Sequence, residues 1–206
     1  MASPLTALAT ANSGRVESDN ATYATAVAGS GLVANTAYYY VGQAPGYYLD
    51  ILYLEFDTSG IGAGQIISAA TFSLYGNDAG SAGPHTEIVA AYDYGVSATT
   101  ADWRTAAQLT ALTALASKAC TTAISESAYT DFTSQAAFLA AINPVGMTRL
   151  IVFSASQASS TQPSAAERVR WNIRTATGKE PKLVVTYAPA ATGCPKMADH
   201  YARLRG

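Results

Sequence analysis

A chain of 206 residues with only 13% charged residues and a formal charge of −2 has no field with which to attract nucleic acid. An average domain carries about 25% charge, so this surface must be built from Ala, Ser, Thr, Gly, Asn and Gln, which suits extracellular modules and assembly proteins covered by their neighbours. The length allows one large core burying roughly 70% of the unfolded surface, and no stretch approaches the ~20 apolar residues needed to cross a bilayer. Residues 1–8 show neither the basic nor the long apolar region of a signal peptide. Two expectations follow: a mature chain stripped of its leader, or a protein used without classical secretion.

In chain order, residues 1–18 are small, polar and aperiodic and predict an N-terminal arm. The core domain is expected over 19–188. Residues 38–41, three tyrosines and a valine, read as a strand. The strongest strand is 49–57, where Leu52, Leu54 and Phe56 face one way and Ile51, Tyr53 and Glu55 the other, which places it in mid-sheet. A glycine-rich turn (Gly60, Gly62, Gly64) precedes 66–75, where Ala70, Phe72 and Leu74 alternate with Thr71, Ser73 and Tyr75. Residues 86–94 predict a further strand. Two helices are expected next. One covers 101–116, rich in Ala and Leu and capped by Thr99 or Thr100; the other covers 134–142, with Ser134 as N-cap and Asn143-Pro144 as its stop. Strands return at 149–155, 169–174 and 182–187. Residues 189–206 form a linker and a short amphipathic tail, in which Met197, Tyr201 and Leu204 recur at i, i+4 and i+7. So short a helix must dock on something to persist. The fold class this predicts is all-β: a two-sheet antiparallel, jelly-roll-like β-sandwich with one or two short helical insertions and terminal arms.

Two segments carry a family resemblance. Leu52-Tyr53-Leu54-Glu55-Phe56-Asp57-Thr58-Ser59-Gly60-Ile61 is followed, after Gly64, by Ile67-Ser68-Ala69-Ala70-Thr71-Phe72-Ser73-Leu74-Tyr75. The chain's last predicted strand reads Glu180-Pro181-Lys182-Leu183-Val184-Val185-Thr186-Tyr187. In order and spacing these resemble the DNRLRE-type β-sandwich, with Asp19-Asn20-Ala21-Thr22-Tyr23 and Tyr40-Val41-Gly42 where its opening strands would lie. The likeness spans about residues 18–188 and departs from the family at 58–63, where its turn is replaced, and at 99–145, which are more helical. The resemblance implies a jelly-roll of the carbohydrate-binding-module kind. Relatives of that shape occur on polysaccharide-degrading enzymes, on bacterial surfaces and in phage virions.

No motif reads as catalytic. His85 and His200 are expected as solvated loop and tail residues, and Gly60–Gly64 lacks the Lys-Ser/Thr of a phosphate cradle. Cys120 and Cys194 are distant, without a CxxC; with His85 and His200 they make a poor zinc set, and they are read as independent thiols or a disulfide. Asp19, Asn20, Asn77 and Asp78 are the oxygen-rich loop residues that could take a structural calcium, and no other cofactor is expected. The 13 tyrosines are the most suggestive feature, since each joins a flat apolar face to a polar tip. Tyr38, Tyr40, Tyr47, Tyr48 and Tyr92, with Met197, Tyr201 and Leu204 of the tail, form the expected binding set; Trp103 and Trp171 are expected as core or helix-docking anchors. The expected function is a non-catalytic virion structural protein, a capsid decoration or head–tail accessory subunit on the virion surface. Its partners would be proteins, copies of itself on a lattice included, with no membrane or nucleic acid involved. The alternative is an extracellular carbohydrate-binding or adhesion module, and a polysaccharide-active enzyme ranks last.

Overall fold

The computed structural model describes residues 2–190 apart from 38, 45–46, 79–82, 121–123, 125–126 and 163. Its strands are β1 (Ser3–Leu8), β2 (Gly14–Asp19), β3 (Leu32–Asn35), β4 (Tyr39–Ala44), β5 (Tyr48–Asp57), β6 (Gln65–Asp78), β7 (His85–Ala91), β8 (Ala114–Cys120), β9 (Tyr129–Asp131), β10 (Thr133–Ser134), β11 (Met147–Ser154), β12 (Glu167–Trp171) and β13 (Lys182–Pro189). The helices are short: α1 (Tyr23–Val27), α2 (Ala106–Thr110), α3 (Ala137–Ala141) and α4 (Ala155–Ala158). Among the described residues no helix is long and apolar enough to cross a membrane.

Every strand pairing is antiparallel, and the result is a β-sandwich. In sheet 1, Ser73 of β6 faces Lys182 of β13 on one side and Asp131 of β9 on the other, and β1 lies beyond β13. In sheet 2, Leu52 of β5 faces Arg15 of β2 on one side and Val152 of β11 on the other; β3 lies beyond β2, and β7, β8 and β10 follow β11. Hydrogen bonding also joins the sheets. β12 pairs with the end of β6 and with β4, whose own end pairs with β5. Residues 129–134 make a second junction, because β9 pairs with β6 and β10 with β8.

The two-sided pattern of β5 explains the layering. Leu52, Leu54 and Phe56 pack between the sheets with Phe72, Leu74, Trp171, Leu183 and Val185. Leu49, Ile51 and Tyr53 join Val16, Ile151 and Phe153 in a second core on the outside of sheet 2, roofed by Tyr23, Ala26 and Val27 of α1, by Trp103 and by Leu109 of α2. Burying each such large side chain is worth about 1.5–3 kcal/mol. β4 changes sides at Gly42: Tyr39 and Val41 point between the sheets, whereas Gln43 pairs with Leu49 of the outer core. Gly42 takes φ 110°, and a Cβ there would run into the Glu167 carbonyl oxygen, so the crossover requires glycine.

Several expectations are corrected. The predicted arm is two strands: Leu5 and Ala7 of β1 turn inward against Val185 and Leu183, and β2 pairs with β5. A helix over 101–116 does not form. Thr105 and Gln108 close a capping box that starts α2 at Ala106, and the chain then pairs as β8 along β7, Ala116 opposite Val89. Packing there overrides the helix propensity of Ala and Leu. Ser134 ends β10 rather than capping a helix, because its backbone pairs with Ala116 and its hydroxyl donates to the Ala70 carbonyl. Tyr38, Cys194 and the tail residues Met197, Tyr201, Leu204 and His200 lie outside the described residues.

Candidate functional site

Among the described residues, no helix roofs the outer face of sheet 1. Its outward positions are Pro4, Thr6 and Leu8 on β1, Lys182, Val184 and Thr186 on β13, Ala69, Thr71, Ser73 and Tyr75 on β6, and Tyr129 and Asp131 on β9. Lys182 and Asp131 are the charges among these positions, one of each sign. Ser73 turns its hydroxyl to Asp131 at 2.6 Å. At one end Tyr75 and Tyr129 meet edge to face with ring centres 5.1 Å apart, and the Lys182 ammonium lies 3.6 Å from the centre of the Tyr129 ring. Leu8 is 47% exposed, and Ile66 at the start of β6 is 56% exposed. Neither Tyr75 nor Tyr129 stands out in the sequence. The outward phase of the alternation at Thr71, Ser73 and Tyr75 was the one available signal.

A second feature lies at the rim of the outer core of sheet 2. Tyr92, Asp93, Asn143, Met147 and Arg149 line a recess of about 300 Å³. Arg149 and Glu55 are cross-strand partners, and Arg149 Nε donates to Glu55 Oε2 at 2.7 Å while its Nη1 donates to Asp93 at 2.8 Å. Buried Glu55 also accepts from Thr10 Oγ1 and Asn12 Nδ2, at 2.8 and 2.7 Å. The guanidinium is therefore fixed from behind. Arg104 stacks over Tyr92 at 4.4 Å, and the edge of Tyr53 meets Tyr92 at 6.1 Å.

The predicted tyrosines do not converge on one platform. Tyr92 reaches the recess, whereas Tyr47, at φ 63°, packs edge-on to Tyr23 beside α1. Tyr48 opens β5 opposite Asp19. Tyr40 is covered by arginines: Arg168 lies 3.7 Å and Arg15 5.1 Å from its ring centre. Behind it, fully buried Asp50 takes Arg15 Nη1 at 2.6 Å, with Arg168 Nε 2.8 Å from its other oxygen, off the axis of a hydrogen bond. Burial pushes the Asp50 carboxyl up to about 7, against the pull of Arg168 and Arg15. Among the calcium candidates, Asp19 ends β2 beside Tyr48, whereas Asn77 donates to the Asn172 side-chain oxygen at 3.0 Å. No described contact joins these two pairs, and the Asp78 side chain lies outside the described set.

His85 departs from expectation. It is not a solvated loop residue: it opens β7 with its side chain buried, directly opposite Cys120 of β8, with Glu87 two positions on along the same face. Its Nδ1 lies 3.0 Å from the Gly83 carbonyl, and its Nε2 is 3.7 Å from Glu87 Oε1, the oxygen that accepts from Trp171 Nε1 at 3.2 Å. Burial, together with the nearby Glu87 charge, pushes the Cys120 thiol far above its ordinary range, which leaves it a poor nucleophile. Sequence spacing hid this cluster, because cross-strand register alone brings residues 85 and 120 together.

No protein-family model and no curated protein matches this sequence. What the surfaces can do follows from their own groups.

Proposed function

We propose that the chain is a non-catalytic structural subunit that packs against protein neighbours, copies of itself included, through the outer face of sheet 1. The role this reading points to is that of a virion surface protein, a capsid decoration or head–tail accessory subunit. One observation carries the reading: a continuous, nearly uncharged face of Thr, Ala, Val and Leu side chains that no described segment covers on one sheet, while the other sheet's outer face is roofed by helices. With one lysine and one aspartate among its outward positions, this face sets little like-charge repulsion against a neighbour, and an apolar surface of this kind favours close packing. Sedimentation velocity over a concentration series tests this. Wild type should sediment as oligomers that grow with concentration, and Val184→Glu should remain monomeric with an unchanged melting temperature. A wild type that stays monomeric throughout, or a Val184→Glu that assembles as before, refutes the reading.

The recess supports a second reading, carbohydrate binding. Its aromatic Tyr92 stands beside Arg149, Asp93 and Asn143, planar polar groups of the kind that pair with adjacent sugar hydroxyls, and Glu55 holds the guanidinium in place beforehand. Calorimetric titration with neutral and acidic oligosaccharides should then show binding that Tyr92→Ala weakens at least about tenfold, a loss of about 1.4 kcal/mol. Equal binding by the variant rejects the recess as the sugar site.

A further inference from the structure

We infer that His85, Glu87 and Cys120 form a binding site inside the sandwich for a divalent transition metal of the zinc class. The three donor atoms lie within 4.8 Å of one another, and all three residues are buried. Register builds the site: His85 and Cys120 are cross-strand partners on β7 and β8, and Glu87 follows His85 on the same face.

The surrounding hydrogen bonds are those of a metal ligand set. The Gly83 carbonyl can only accept, so His85 donates from Nδ1 and turns Nε2 toward Glu87. That Nε2 is buried without a hydrogen-bond partner. Glu87 is 0% exposed; Trp171 holds its Oε1, and its Oε2 is likewise buried without a partner. Orphaned atoms of this kind are costly in an interior, and a cation satisfies both at once.

The donor set selects the metal. One imidazole nitrogen, one thiolate and one carboxylate suit Zn²⁺ or Co²⁺, whereas Ca²⁺ and Mg²⁺ require oxygen ligands. Metal–ligand bonds of about 2.0–2.3 Å in a tetrahedron put the donors roughly 3.3–3.7 Å apart. The 3.7 Å between His85 Nε2 and Glu87 Oε1 already meets this, and the Cys120 sulfur lies within 4.8 Å of both. On binding, the Cys120 thiol gives its proton to solvent and its sulfur lone pair to the metal, with no change of oxidation state. The ion ties β7 and β8 together and, through Glu87 and Trp171, holds both to β12.

Titration of the full chain with Co²⁺ in a non-coordinating reductant tests the inference. Binding should be one to one, with a thiolate-to-cobalt charge-transfer band in the near ultraviolet and visible bands of tetrahedral intensity, all displaced by Zn²⁺. Cys194→Ser should keep the spectrum and Cys120→Ser should lose the charge-transfer band. His85→Gln and Glu87→Gln should each weaken binding more than about tenfold. If Cys120→Ser does not fold, the band in Cys194→Ser protein, where Cys120 is the sole remaining thiol, decides the question. Absence of the band in wild type, its loss in Cys194→Ser, or its survival in folded Cys120→Ser overturns the site.

Discussion

The two outer faces of this sandwich are built from the same alternation and end differently. Outside sheet 2, β5 and β11 present Leu49, Ile51, Tyr53, Ile151 and Phe153, and the chain covers them itself with α1, Trp103 and α2. Outside sheet 1, β1, β13 and β6 present Thr6, Val184, Thr186, Ala69 and Thr71, and the described chain leaves them open. Large apolar side chains make an exposed face intolerable in a monomer. Small and β-branched ones make a face that tolerates water yet loses little on being covered. This difference separates a wall of the core from a face that water can wet.

Breaking the covered face should have the largest effect. Trp103 is 7% exposed, donates its indole N–H to the Val27 carbonyl at 3.3 Å and packs so closely on Gly29 that a Cβ there would overlap its ring. Trp103→Ala should cost about 3–5 kcal/mol in chemical denaturation; a loss under about 1 kcal/mol means the roof contributes little. At the rim of the same face, Arg149→Ala strips buried Glu55 of its cation and should cost about 3 kcal/mol, with Arg149→Lys recovering part of it. Urea titrations of the two variants side by side measure both.

The junction of the sheets adds a pH term. Because the Asp50 carboxyl is raised to about 7 in the fold, the native state holds its proton over a range where the unfolded chain has released it. This group's contribution is fully present below about pH 4 and is lost as pH rises toward 7, at no more than about 1.4 kcal/mol per pH unit. Asp50→Asn should therefore gain stability relative to wild type as pH climbs from 4 to 7, and parallel wild-type and variant curves would show the carboxyl ionised throughout. The smallest effect belongs to the open face: Val184→Glu should change stability by less than about 0.5 kcal/mol even as it abolishes association.

Local pattern made some elements legible in the sequence. Leu52, Leu54 and Phe56 against Ile51 and Tyr53 disclosed a strand with both faces covered, and Ala70, Phe72 and Leu74 disclosed the inward side of β6. The short hydrophobic steps of β1 and β8 did not, because Leu5-Thr6-Ala7 and Leu115-Ala116 become strands only when β13 and β7 offer them a partner. A tyrosine-rich sequence suggested one binding platform, yet the change of side at Gly42 and the arginines over Tyr40 scatter those rings. Trp103 and Trp171 serve as the core anchors expected. The outward residues of sheet 1 passed unnoticed because threonine and alanine draw no attention one at a time, and their significance lies in adjacency across strands far apart in sequence.

Backbone hydrogen exchange, compared between dilute and concentrated protein, bears most directly on where neighbours meet. If sheet 1 is the contact, added protection on concentration should fall on peptides covering Ser3–Leu8 and Lys182–Pro189, with the segments around Trp103 and Tyr92 unchanged. Protection that leaves those two strands as they were, or that appears instead around Tyr92 and Arg149, contradicts it.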